Sequence, residues 1–400
     1  MKVTDVKIHV VSVPLVEPET WRFGRLWGLT SAVVEVETDE GVTGLGETLG
    51  SPYVKLVVEA IRKNAEWLKD RDPLAIRSFI AESQDRGWHH YPHIGHMASA
   101  ALEMALWDIT GKVAGLPLHC LFGGAVRDRV PYYWYMTALD RTPEGVRRQA
   151  REGVDRGFRT VYMKIGFDID DDIRLIREIR DEVGPKIGIR VDPNEGWSVY
   201  DATRALRELE DVDLEYVEEP IDMNNLEALV HLRRTTRTRI GSNQSSWFAH
   251  NVRDVLVRQA ADVIATDQHQ LGSLLAFRDV AAMCGIFGVP LNKHAFGDLG
   301  ITTAAALHVL ATIHGPELPH QQYIQVMEHD LLAEPLLFDR GCLEVPNKPG
   351  IGVELDRDAL AHYGRLYERY GEFEGYSPGF GPSIVPELER RPGRRVFKDG

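Results

Sequence analysis

Four hundred residues, 44% hydrophobic and 26% charged, describe a soluble globular chain longer than one ordinary domain. Its 46 basic and 60 acidic side chains leave a net charge of -14, a field that argues against nucleic acid or an anionic membrane as partner, while a small anionic substrate remains admissible where a metal or local cation reverses the sign. Cys120, Cys284 and Cys342 are far apart and odd in number, the start does not read as a signal peptide, and no apolar run nears the roughly 18 residues of a membrane span, so the expected setting is a reducing cytoplasm without disulfides.

Residues 2–13 alternate as a strand does (Val3, Val6, Ile8, Val10). Ser31–Glu37 reads as a second strand, and Asp39-Glu40-Gly41 as the turn into a third over Val42–Glu47. Helical patterns follow over 53–70 and 73–86, then across Gly95–Gly115, where Met97, Ala101, Met104, Ala105 and Ala114 share an apolar face. Strands first and helices afterwards describe an α+β unit over 1–125.

From Val130 the rhythm changes. Tyr132–Met136 is strand-like, and Thr142-Pro143-Glu144 starts a helix with a cap residue and proline at its first position. Strands at 160–165, 187–192, 214–218, 239–243, 262–267 and 287–292 then alternate with helices at 171–183, 199–210, 224–234, 248–259, 272–284 and 300–313, and a short strand near 321–325 closes the series. A repeat of roughly 25 to 28 residues, giving eight βα units or nearly so, predicts a parallel barrel over 126–345 with its site at the carboxyl ends of the strands. The tail, 346–400, lacks that rhythm and is expected to pack back on the first domain.

The strand ends carry the chemistry. They are Tyr162 and Lys164, Asp192, Glu218 followed by Glu219, Asn243, Asp267 and His294. Alone, each reads as readily as a helix cap, a solvated charge or a structural histidine. On one barrel rim they act together. Asp192, Glu218 and Asn243, on adjacent strands, offer an all-oxygen shell that suits Mg²⁺ better than zinc. Lys164 stands on one side, and His294 with Asp267 on the other, an arrangement fit to remove a proton α to a carboxylate.

The motifs G-V-T-G-L-G-E (41–47), A-L-E-M-A-L-W-D-I (101–109), L-F-G-G (121–124), V-D-P-N (191–194), V-E-E-P (217–220), the Lys-His-Ala-Phe stretch (293–296) and P-G-I-G-V-E-L-D (349–356) occur in this order. In them the chain resembles the enolase superfamily, in particular its mandelate racemase-like members, over nearly all 400 residues. The resemblance implies an α+β capping domain over a modified (β/α)7β barrel, one Mg²⁺ per subunit on Asp192, Glu218 and Asn243, Lys164 as the second lysine of a Lys-x-Lys base, and Asp267–His294 as a dyad. It also implies a small carboxylate substrate and a homo-oligomer. Two positions depart from the pattern: Tyr162 replaces the first lysine, and Asn243 replaces the commoner acid. A neutral tyrosine is expected to hydrogen-bond substrate or Lys164. Asn243, with Asp-Pro-Asn and Trp197, is similar to glucarate dehydratase and its relatives, which favours dehydration of a sugar acid, aldonate or aldarate, over racemisation, epimerisation or cycloisomerisation. A barrel that binds metal without catalysis is the third reading.

Further substrate contacts are expected from Asn194 beyond Asp192, from Gln325 where the family places an acid after the last strand, and from Arg22 or Arg25 in Trp21–Gly28, the place of the family's flexible specificity loop, where a guanidinium would clamp a distal carboxylate. The cluster His89, His90, His93 and His96 is broken by Pro92 and reads as a loop near the barrel mouth rather than a zinc site. Gly41, Gly44 and Gly46 do not form G-x-G-x-x-G, which argues against a dinucleotide site.

Overall fold

The structure, a computed structural model, describes residues 1–87, 91–315, 318–373 and 394–398, with only the backbone of Tyr91 and Pro92. Three antiparallel strands open the chain: β1 (Val3–Trp21), β2 (Gly24–Thr38) and β3 (Thr43–Leu49), in the order β1-β2-β3. Helices α1 (Val54–Leu68), α2 (Ile76–Gly87), α3 (His96–Ala114) and the short α4 (Leu118–Leu121) follow. The glycines of β3 are required by α3, which lies directly upon them. A Cβ on Gly44 would come within 2.0 Å of the Ala105 carbonyl oxygen, and one on Gly46 within 1.9 Å of that of Ala101. Alternate β3 residues face one side, and Ala101 and Ala105 stand one helical turn apart, so the two patterns interlock.

The barrel begins with β4 (Arg129–Pro131) and β5 (Trp134–Met136), and α5 (Pro143–Asp155) is capped by Thr142 as its sequence predicts, the hydroxyl accepting from Gly145 N at 3.1 Å. There follow β6 (Thr160–Lys164), α6 (Ile169–Val183), β7 (Gly188–Asp192), α7 (Val199–Glu208), β8 (Tyr216–Glu218), α8 (Leu226–Thr235), β9 (Ile240–Ser242) and α9 (Ala249–Arg258). The series ends with β10 (Val263–Thr266), α10 (Gln268–Leu271), α11 (Leu274–Phe287), β11 (Leu291–Lys293) and α12 (Gly300–Leu310). Seven parallel strands pair in the order β11-β10-β9-β8-β7-β6-β5.

The strand expected near 321–325 does not form. A single parallel bridge between Tyr132 and His320 closes the ring instead: His320 N donates to Pro131 O at 2.8 Å, Tyr133 N to His320 O at 3.0 Å, and Gln321 N to Lys293 O at 2.9 Å. Beyond it the chain turns, because Val326 N and Met327 N both donate to Tyr323 O and the Gln322 side chain accepts from Gln325 N, local bonds that replace a ladder.

Just before the tail, β12 (Cys342–Glu344) pairs with β4, and the tail itself contains a helix the sequence reading missed, α13 (Arg357–Tyr370). Helix α13 packs on β1, and Arg357 grips Glu35 of β2 at 2.7 and 2.6 Å. Residues 394–398 do not follow it onto the first domain. Val396 O and Lys398 N bond Phe338, and the Phe397 ring meets Trp134, Phe158 and Phe338, all of them barrel residues.

Buried acids seat the two parts on each other. Glu47 of β3 accepts from the N–H groups of Leu299, Ile301 and Thr302 at the start of α12, and Glu103 of α3 from Leu274 and Leu275 at the start of α11, while Asp108 ties β3 and the tail to α3 through Leu45 N and Ile351 N. These are acids of the motifs G-V-T-G-L-G-E and A-L-E-M-A-L-W-D-I. Among the described residues, no helix is long and apolar enough to cross a membrane.

Candidate active site

Each strand-end residue singled out in the sequence ends its strand or follows it directly, except Tyr162, which lies in the middle of β6. Lys164 and Asp192 are register partners on β6 and β7, and Lys164 Nζ donates to Asp192 Oδ2 at 2.6 Å. Tyr162 OH and Asn194 Nδ2 donate to the same oxygen at 2.8 and 2.9 Å, and Asn194 N donates to Oδ1 at 2.7 Å. The Tyr162 hydroxyl is thus bonded to Asp192, and the Lys164 ammonium stands 5.4 Å from the centre of its ring. Its ring is fully buried between Tyr133 and Tyr135, with centroids 4.8 and 5.1 Å away.

Glu218 lies one strand on. Burial and then the charge of Asp192 push its carboxyl up to about 8, because a dry site and a neighbouring negative charge both disfavour its ionised form. Asn243 follows β9 with its Nδ2 given to the Ala265 carbonyl at 3.0 Å and no side-chain bond to the helical turn after it. The cap reading thus fails, and Oδ1 remains as a donor atom. Glu219 fixes this loop: its Oε2 accepts from Asn243 N, Ser245 N and Ser245 Oγ at 2.6, 3.0 and 2.9 Å. Two repelling carboxylates and an amide oxygen on adjacent strands fit a hard divalent cation such as Mg²⁺. Among the described residues no group of three or more His, Cys, Asp or Glu could hold a metal, so the donor set depends on Asn243.

Across the ring, His294 Nδ1 meets Asp267 Oδ2 at 2.9 Å, while Asp267 Oδ1 caps α10 through His269 N and Gln270 N. Burial opposes ionisation of Asp267, but the His294 hydrogen bond and neighbouring positive charges outweigh it and hold the carboxyl below its usual range. For Lys164, burial pulls the ammonium down, yet the charges of Asp192, Glu218 and Glu19 keep its pKa above the ordinary value. Strands β7 to β10 separate Lys164 from His294, and both line one cavity of about 300 Å³.

Glu19, which sequence reasoning missed, also lines that cavity. The pairing of β1 with β2 slips between Pro14 and Glu19, and the slipped segment joins the barrel through Val16 N to Val326 O and Thr20 N to Thr137 O, both 2.8 Å. This drives Glu19 inward, where its carboxylate accepts from Tyr135 OH at 2.5 Å and Tyr323 OH at 3.2 Å. The signal was V-P-L-V-E-P-E, since a strand with two prolines marks a bulge.

Other expected contacts lie elsewhere. Arg22 Nη1 donates to Asn194 O at 2.8 Å and stacks 4.6 Å from the Phe23 ring, Arg25 is exposed, and neither lines the cavity. Gln325 is held by the Tyr135 backbone and Gln322, while Gln321 and Tyr323 face the cavity in its place. His89 and His90 lie outside the described residues; His93 sits in a π-helical turn, Tyr91–Gly95, rather than a loop, 4.6 Å from the ring of cavity-lining Trp247, and His96 Nδ1 bonds Gln270 O at 2.7 Å. A larger open groove of about 870 Å³ lies by Gly157, before β6 and thus at the barrel's other end. Its arginines are paired with acids, as Arg151 is with Glu182 and Arg156 with Glu152.

Residues 3–123 match the family model described as the mandelate racemase / muconate lactonizing enzyme N-terminal domain, and residues 145–359 the one described as enolase C-terminal domain-like. The chain is 32% identical to a probable glucarate dehydratase of Streptomyces coelicolor, over 86% of each chain. It is 27% identical to the D-galactarolactone cycloisomerase of Agrobacterium fabrum, over 91% of this chain and 99% of that one. An enolase of Streptomyces coelicolor with a solved crystal structure superposes with a TM-score of 0.86 at 35% identity, covering 94% of this chain and all of the other. The motifs, the capped barrel and both family matches lead to one conclusion: the chain belongs to the enolase superfamily, among its mandelate racemase and muconate lactonizing enzyme-like members.

Proposed function

We propose that the protein is a Mg²⁺-dependent acid-sugar dehydratase, removing the proton α to a carboxylate and expelling the β-hydroxyl to give a 2-keto-3-deoxy acid. The observation that carries this is the pair of opposed proton carriers, Lys164 on Asp192 at 2.6 Å and His294 on Asp267 at 2.9 Å, at the edge of one cavity. Asp192, Glu218 and Asn243 would hold the cation, whose positive charge favours the carbanionic form of a bound carboxylate. Tyr162 and Asn194 keep Asp192 oriented, and Glu219 keeps the Asn243 loop in place.

Lys164, once it has given up its own proton, or a neutral His294 takes the α-proton as the Cα–H bond breaks. As the Cβ–O bond then breaks, its electron pair leaves with the hydroxyl oxygen, which accepts a proton from His294. Asp267 supports the imidazolium this requires and fixes the ring. The enol tautomerises to the ketone.

The same opposed pair also favours a second reading, isomerisation by proton transfer between two faces, as the name of the similar cycloisomerase suggests. A library of aldonic and aldaric acids with Mg²⁺, scored for semicarbazide-reactive keto acid and for α-proton exchange in D2O, separates them. Keto acid supports dehydration, exchange without keto acid supports isomerisation, and neither contradicts both.

A further inference from the structure

The cavity wall divides by chemistry. Trp21, Phe23, Leu26 and Leu29 of the β1–β2 hairpin, with Trp247 and Phe296, make it largely apolar. Two carboxylates reach it, Glu19 and Glu195. Among its described lining residues, no arginine and no lysine other than Lys164 appears, and that ammonium is already held by Asp192. Ionised, Glu19 repels a second carboxylate on the substrate; protonated, it still supplies no countercharge.

Three buried polar atoms on lining residues lack a hydrogen-bond partner: Asn194 Oδ1, Gln244 Oε1 and Trp247 Nε1. The Asn194 orientation is fixed, because its Nδ2 donates to Asp192, whose carboxylate only accepts. One fixed acceptor (Asn194), one donor (Trp247) and a Gln244 amide that can turn to present either kind suit hydroxyl groups, each able to donate and accept. A second carboxylate, which only accepts, could be met by Trp247 or by a turned Gln244 amide but would leave the fixed Asn194 Oδ1 facing negative charge.

We propose that this cavity selects a hydroxylated monocarboxylate, an aldonic rather than an aldaric acid, with its one carboxylate at the strand ends and its hydroxyls read by Asn194, Gln244, Trp247 and Glu19. This rests on the dehydratase reading and narrows it. It also separates this chain from the diacid named in its glucarate dehydratase relative.

Matched aldonic and aldaric acids of equal carbon number and configuration are titrated into the full-length protein with Mg²⁺. Binding is read by tryptophan fluorescence, since Trp21 and Trp247 line the cavity, and α-proton exchange is followed by NMR on the same samples. The tightest aldonate is expected to bind about tenfold or more above its aldarate partner, and Glu19→Gln or Glu195→Gln to narrow the gap by strengthening the aldarate. Aldarates that bind as well or better, a gap unmoved in both variants, or a panel without any binder overturns the proposal. Selective aldonate binding without exchange upholds the selection and removes the catalytic reading instead.

Discussion

Asp267 divides its carboxylate between two tasks, one oxygen closing the first turn of α10 and the other holding His294 Nδ1 at 2.9 Å. A strand-end acid is thus both a helix cap and the partner of a proton carrier. Asp267→Asn keeps a capping oxygen but removes the charge behind the imidazole. Under the proposed mechanism turnover should fall about 100-fold or more with the fold intact by circular dichroism. Turnover above half of the wild-type value would show that His294 works without this support.

Tyr162→Phe deletes one of the bonds that orient Asp192 and leaves the ring packing in place. Mg²⁺ affinity, measured by calorimetry, should weaken roughly tenfold, with most activity restored at saturating metal. Unchanged affinity would assign Tyr162 to packing alone.

Gly46→Ala forces a methyl group against the Ala101 carbonyl of α3. Urea unfolding should register a loss of about 1–3 kcal/mol or more, whereas Gly41→Ala, with open space around it but a φ of +77°, should act through backbone strain alone.

Glu47 and Glu103 link stability to pH. Burial first, and for Glu47 the charge of Asp298, push the carboxyls up to about 8 and about 7. Each group binds its proton more tightly folded than unfolded, so its contribution is full below the ordinary glutamate value of 4.5 and is lost as pH rises towards about 8 for Glu47 and about 7 for Glu103. The melting temperature of the metal-free protein should decline across that window, and less steeply in Glu47→Gln. An equal or steeper decline in the variant would assign the pH dependence to other groups.

Much of the architecture was legible because period and punctuation agreed. Alternation marked β1 to β3, and a polar residue stopped each barrel strand where the site had to be. What escaped depended on long-range pairing. The one-residue bridge at His320 has no periodicity to detect, and α13 lay beyond a stretch rich in proline and glycine. Glu19 stands in a strand whose inward face is set by a register slip, and Arg22, a clamp by its sequence position, donates to Asn194 O. Residue type at strand ends carried the site. Its walls came from loops, where sequence spacing says little about direction.

In the proposed mechanism Lys164 and His294 face one α-carbon from opposite sides. α-Proton exchange in D2O, followed by NMR over the acid-sugar panel with Mg²⁺, tests it for the wild type, Lys164→Ala, His294→Asn and the double variant. Expected are exchange with keto acid formation in the wild type, no keto acid in His294→Asn, and no exchange in the double variant. Exchange undiminished in the double variant, or absent from the wild type across the panel with metal bound, would contradict it.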